Sequence, residues 1–215
     1  MKRYTTILLF FLTLNIFSQT ENKFLIGAET GININQSDYI NDTQNISLQI
    51  GIFGEYSINK NFSIMGKLKY YESTINFHYS ETTGGNWFGT QYKFIESVYN
   101  GKILSVPITI NYNFEIHKKL SGSLRIGPSL NYELSSNYNY PVEVNKDYSK
   151  TFLGLNAGFN FNYDIGKSII LFGIEPYFGA KRGSTSGTDF NGIMQTQNYR
   201  MENILLNIGI KYKLQ

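Results

Sequence analysis

No cysteine occurs anywhere in the 215-residue chain, which excludes disulfides, thiolate metal sites and a lipid-anchored cysteine behind an export signal. Proline is scarce at 4 residues, and charged residues make up only 16%. No apolar run approaches the ~20 residues that a membrane-spanning helix needs. The formal charge of +3 falls to +1 once Lys2 and Arg3 are set aside with the N-terminal segment. That balance offers nothing to nucleic acid as a partner. What is plentiful is aromatic and small: 17 Tyr, 16 Phe and 20 Gly. Together with abundant Ile and Asn, these favour pleated strands and turns over a soluble helical domain.

The first residues have the order of a secretory signal peptide. Lys2 and Arg3 form a positive start, Ile7 to Leu14 an apolar core, and Ser18 a small residue before Gln19. Ile16 is a poorer residue than Ala two places before the cut. The alternatives are a signal anchor or a buried strand, against which the short apolar run and its charged start both speak. The expected division is therefore residues 1–18 as signal peptide and 19–215 as one barrel domain.

Beyond the signal, apolar and polar residues alternate with period two in eight runs. They cover Phe24–Ile34, Ile46–Ile58, Phe62–Tyr70, Leu104–Phe114, Leu120–Glu133, Leu153–Tyr163, Ile170–Gly179 and Ile204–Leu214. In the fourth, Leu104, Val106, Ile108, Ile110, Tyr112 and Phe114 share one face. Ser105, Thr109, Asn111 and Asn113 take the other. Each run is near the ~9–11 residues of a tilted transmembrane strand, and an even number of strands is usual for single-chain bacterial barrels. The connections alternate as well. Asn59–Asn61, Glu115–Lys119 and Asp164–Ser168 are short, whereas Asn35–Asn45, Ser73–Lys102, Ser135–Thr151 and Lys181–Glu202 are long and polar. Short turns at one end and long loops at the other predict an all-β fold, an eight-stranded antiparallel up-and-down transmembrane β-barrel.

Alternation alone allows two orientations. A lipocalin-like soluble barrel would turn its apolar face inward around a small apolar ligand. A membrane barrel turns it outward to acyl chains. The polar faces are rich in Gly, Ser and Asn, which suit a narrow interior, and they lack the Lys and Glu density of a solvated surface. Tyr56, Phe62, Phe114, Tyr163 and Tyr212 gather at strand ends beside the short turns, where an interfacial girdle belongs. Ordinary β-propensity is the competing account of those aromatics. The outward-apolar orientation places Glu29, Glu55, Lys67, Lys69, Arg125, Glu133, Glu175 and Lys211 in the lumen, with both signs available to pair. Such a set reads either as a packed structural network or as a proton or ion path. An eight-stranded lumen is only wide enough for its own side chains, which favours the network.

The strands also resemble a known family. Leu104-Ser105-Val106-Pro107-Ile108, Arg125-Ile126-Gly127-Pro128 within Leu124–Tyr132, and Leu206-Asn207-Ile208-Gly209-Ile210-Lys211-Tyr212 are similar to the fourth, fifth and closing strands of the PorT-like outer-membrane β-barrel family. The chain departs from many such barrels by ending Leu214-Gln215 rather than in an aromatic residue, with Tyr212 nearest the end. The resemblance implies an envelope location, with some members linked to protein secretion, and it transfers no catalytic residues.

No catalytic constellation, cofactor motif or metal site emerges. His78 and His117 are the two histidines, and His78, near Ser80 and Glu81, is the one candidate base. The long segment Ser73–Lys102 is the richest in side chains suited to recognition. Ile75, Phe77 and Tyr79 alternate, Gly84-Gly85 provides a turn, and Trp87, Phe88 and Tyr92 follow, as a protruding hairpin would. Those aromatics would either bind a partner protein or glycan, or cover the barrel mouth. The expected function is that of a non-enzymatic outer-membrane barrel presenting loops for interaction or envelope integrity. Its expected partners are membrane lipid and envelope or secretion proteins. The alternatives are an accessory of a secretion or transport assembly, and a soluble lipocalin-like binder.

Overall fold

The computed structural model describes residues 24–36, 45–86, 89–139, 149–180, 183–188, 194–199 and 201–214. The segment expected to be a signal peptide lies outside them. Ten strands follow one another: β1 Phe24–Gln36, β2 Asn45–Ser57, β3 Phe62–Asn86, β4 Gly89–His117, β5 Leu120–Asn139, β6 Thr151–Asp164, β7 Ser168–Gly179, β8 Gly183–Thr188, β9 Met194–Tyr199 and β10 Glu202–Leu214. Eight of them close a barrel in the order β1-β10-β7-β6-β5-β4-β3-β2. Each neighbour pair is antiparallel. The seam joins β1 to β10 from Phe24 opposite Leu214 to Gln36 opposite Glu202. The eight barrel strands are the eight alternating runs of the sequence.

The apolar face points out. Ile50, Ile52, Ile108, Ile110, Leu153 and Ile210 are exposed on the barrel wall, Ile108 at 56%, while Glu29, Asn33, Lys69, Asn131 and Glu175 are buried inside. In water this arrangement would be inverted. In a bilayer it gives acyl chains an apolar wall and keeps every ladder N–H and C=O paired. The lipocalin-like alternative therefore fails, because it requires the opposite facing.

The short turns are tight and tied into the wall. Asn59 Oδ1 accepts from the Asn61 and Phe62 amides at 2.9 and 2.8 Å, forming an Asx turn between β2 and β3. Between β6 and β7 the chain reverses through Gly166 at φ +95°, a left-handed conformation that glycine adopts without strain. Turn carbonyls accept from the neighbouring strand: Asn61 O from Asn113 N, Lys119 O from Asp164 N and Lys167 O from Lys213 N. Around this rim Phe24 packs on Tyr56 (4.9 Å between ring centres) and Phe62 on Tyr112 (5.3 Å). Tyr163 and Tyr212 are exposed beside them.

At the opposite end the structure bears out one expectation and corrects another. Ser73–Lys102 carries the expected hairpin, since β3 runs for 25 residues to Asn86 and β4 for 29 from Gly89. Their ladder continues to Asn86 opposite Gly89, interrupted by one irregularity between Thr82 and Gly84. Alternation of Ile75, Phe77 and Tyr79 continues the strand period after the membrane-facing apolar pattern has ended. The correction concerns Lys181–Glu202, expected as a loop, which contains the separate hairpin β8–β9, from Gly183 opposite Tyr199 to Thr188 opposite Met194.

Candidate functional site

Among the described residues, the lumen is where the barrel gathers its buried charged groups. Register alone decides this. Inward positions of β3 read Ser63, Met65, Lys67, Lys69, Tyr71 and Ser73, and all six are buried. Every second residue of the other barrel strands faces inward in the same way, so residues more than a hundred positions apart meet across the axis.

Two ionic clusters result. In the first, Glu175 of β7 lies 1% exposed. Its Oε2 accepts from Arg125 Nη2 at 2.6 Å and from Lys67 Nζ, Lys69 Nζ and Asn207 Nδ2 at 3.2 Å each. Asn156 Nδ2 donates to its Oε1 at 2.8 Å. Glu29 of β1 takes Lys67 on both oxygens, at 2.9 and 2.8 Å, and Lys69 at 3.1 Å. Three cations thus share two carboxylates. Gly158 makes room for this arrangement, since a Cβ there would stand 2.5 Å from Arg125 Nε. In the second cluster Lys211 Nζ donates to Glu55 Oε2 at 2.7 Å. Ser63 Oγ and Asn111 Nδ2 donate to Oε1 at 2.5 and 3.3 Å. Glu133, buried and opposite Ile103 in register, stands nearer the long-loop end. All eight expected lumen charges are therefore inside. They are also the only buried charged residues among those described.

Apolar side chains separate the levels, and these are what sequence reading missed. Phe53, Met65 and Leu171 form a buried cluster. Along β3, Met65 lies between Ser63 of the second cluster and Lys67 of the first. Along β2, Phe53 lies next to Glu55 at the following inward position. The Lys67 ammonium stands 5.7 Å from the centre of the Phe53 ring, a cation–π distance. Toward the long-loop end Tyr71, Ile103, Phe152, Tyr177, Met201 and Leu205 form a larger cluster. Apolar residues on both faces of one strand blur the alternation, so inward Ile103 and Leu205 carried no separate signal. The stack of apolar, ionic, apolar and ionic levels fills the lumen with the chain's own side chains.

The expected recognition and catalytic residues are placed differently. Trp87 and Phe88 lie outside the described residues, and Tyr92 is on β4 opposite Thr82 at the far end of the long hairpin. His78 is on β3 opposite Glu96, and His117 is exposed at the end of β4. On the outer wall a groove of about 450 Å³ runs between Ile32, Phe159, Phe161, Phe172, Ile174 and Leu206, where acyl chains would lie. Among the described residues no group of His, Cys, Asp and Glu could hold a metal ion.

A family model described as an outer membrane protein beta-barrel domain matches residues 5–169. Among solved structures, Neisserial surface protein A is similar at 13% identity with a TM-score of 0.57, covering 89% of this chain and 97% of that one. A major outer membrane protein from Thermus thermophilus is similar at 13% identity and a TM-score of 0.51, covering 89% and 99%. Outer membrane protein OprG from Pseudomonas aeruginosa gives 10% identity and 0.48, covering 92% and 99%. The first two likenesses are ones of fold. Comparison with curated proteins finds no match.

Proposed function

Since this chain belongs to the outer membrane protein beta-barrel domain family, we propose that it is a non-enzymatic membrane anchor whose task is to hold the β3–β4 hairpin beyond the outer membrane for interaction with another protein or a glycan. Its place is the outer membrane, embedded in lipid. The observation behind this reading is the length of β3 and β4. Their ladder reaches Asn86 and Gly89, whereas β2 pairs with β3 only as far as Tyr71 and β5 pairs with β4 only as far as Val98. Beyond those points the hairpin has no neighbouring strand among the described residues. Its outward edges offer backbone N–H and C=O groups. The sequence joining the two strands is Trp87-Phe88, with Tyr92 following on β4. A lumen filled by paired charges suits an anchor better than a pore.

Replacing residues 74–100 by an Asn-Gly turn tests the proposal. The expected result is a barrel that still assembles but no longer crosslinks to proteins or glycans through photoreactive groups placed at its outer end. Undiminished crosslinking would overturn it. Export through residues 1–18 belongs to the same reading, and the mature protein should then begin at Gln19 by mass measurement. Membership of the PorT-like branch, with a role as a secretion accessory, is the second reading. It rests on the motifs around Pro107, Pro128 and Gly209 alone.

A further inference from the structure

The three short turns repeat one pattern. Ile58-Asn59-Lys60 lies between β2 and β3, Ile116-His117-Lys118 runs from the end of β4 into the turn to β5, and Ile165-Gly166-Lys167 joins β6 to β7. Ile116 and Ile165 are 47% and 50% exposed, Ile58 is half-buried, and all three lysines are exposed, as is Lys119. None of these four lysines is in an ion pair among the described residues. Of the acidic groups nearby, Asp164 is held by Lys213 at 2.6 Å and Glu115 is exposed. This rim is therefore basic, although the lumen above it is balanced, with four acidic and four basic residues buried.

Two features fix where the rim sits. Phe24, Tyr56, Phe62, Tyr112, Tyr163 and Tyr212 ring the wall beside it, and such aromatics mark the level of the headgroups. The turns also cannot reach past that level, because the Asn61, Lys119 and Lys167 carbonyls are bonded to the adjoining strand at 2.6, 2.8 and 3.0 Å. An isoleucine half exposed to water at two of the turns and partly exposed at the third is unfavourable. At the boundary of acyl chain and headgroup it is favourable, and a lysine two residues on can extend its ammonium to a phosphate.

We propose that the short-turn rim is a binding surface for anionic phospholipid, each Ile-x-Lys turn placing its isoleucine among acyl chains and its ammonium on a headgroup phosphate of the leaflet it touches. The unpaired positive charge selects a net-negative headgroup over a zwitterionic one. The proposal is independent of the hairpin and of its partner.

The test uses the full barrel reconstituted in phosphatidylcholine vesicles. Spin-labelled phosphatidylglycerol and spin-labelled phosphatidylcholine report their relative association with the protein wall. A preference for phosphatidylglycerol of roughly fivefold or more is expected, the worth of about one lysine at an anionic surface. It should fall toward unity in K60Q/K118Q/K119Q/K167Q and persist in the matching arginine variant. Equal association of both lipids with the unmodified protein would overturn the proposal, and is the outcome expected if the rim instead met a soluble acidic partner. A preference retained in the glutamine variant would overturn it too. Should that variant fail to close, the salt dependence of the unmodified protein decides. An electrostatic surface loses its preference as salt is raised, and an unchanged preference is fatal to the idea.

Discussion

At the scale of residues, the most consequential side chain is Glu175. Its carboxylate takes Arg125, Lys67 and Lys69 at once, so Glu175→Gln leaves three buried cations around Glu29 alone. Removing one partner of a buried ionic group costs about 3–5 kcal/mol. Reversible urea unfolding in vesicles should show that loss. The double variant Glu175→Met with Arg125→Met should recover part of it, because the removed charges were each other's partners. Purely additive losses would mean the two do not act as a pair. On the outer wall Ile108→Lys should cost ~2–4 kcal/mol, the charge now lying in hydrocarbon near the bilayer middle; an unchanged unfolding midpoint would count against a lipid-facing Ile108. Which charges are inside was readable from the sequence, because Lys67, Lys69 and Glu175 each fall on the polar face of a period-two run. Who pairs with whom was not. Arg125 meets Glu175 only through the cumulative register of strands β5, β6 and β7, and no local pattern encodes that.

At the scale of elements, β7 and β10 pair directly from Phe178 opposite Glu202 onward, so the β8–β9 hairpin adds nothing to closure of the wall. Replacing residues 181–200 by a short Gly-Ser link should leave the barrel closed, retaining a heat-dependent shift in electrophoretic mobility. Loss of that shift would mean the hairpin takes part in folding. This hairpin escaped sequence reading because Gly183–Thr188 and Met194–Tyr199 are almost wholly polar, and period-two alternation is invisible without apolar residues to mark it. The extension of β3 and β4 was half legible. Ile75, Phe77 and Tyr79 alternate as a strand should, but Ser80 to Asn86 hold no hydrophobic side chain to carry the contrast on.

For the whole molecule, the alternating ionic and apolar levels of the lumen predict that the barrel carries no steady current. Planar bilayers containing the purified protein should show no stepwise conductance across the physiological range of voltage. Discrete openings in most insertions would contradict a filled lumen and make the charge clusters a path. A truncation of Phe53 and Met65 to alanine is the place to look for leakage, since these two belong to the apolar layer between the ionic clusters. The pairing of Phe24 with Leu214 has a consequence of another kind. The first and last strands of the barrel are neighbours, so the wall is a ring whose final join waits until β10 has been made. A chain cut short before β10 would leave the edges of β1 and β7 both open, and closure itself therefore reports that all eight barrel strands are present.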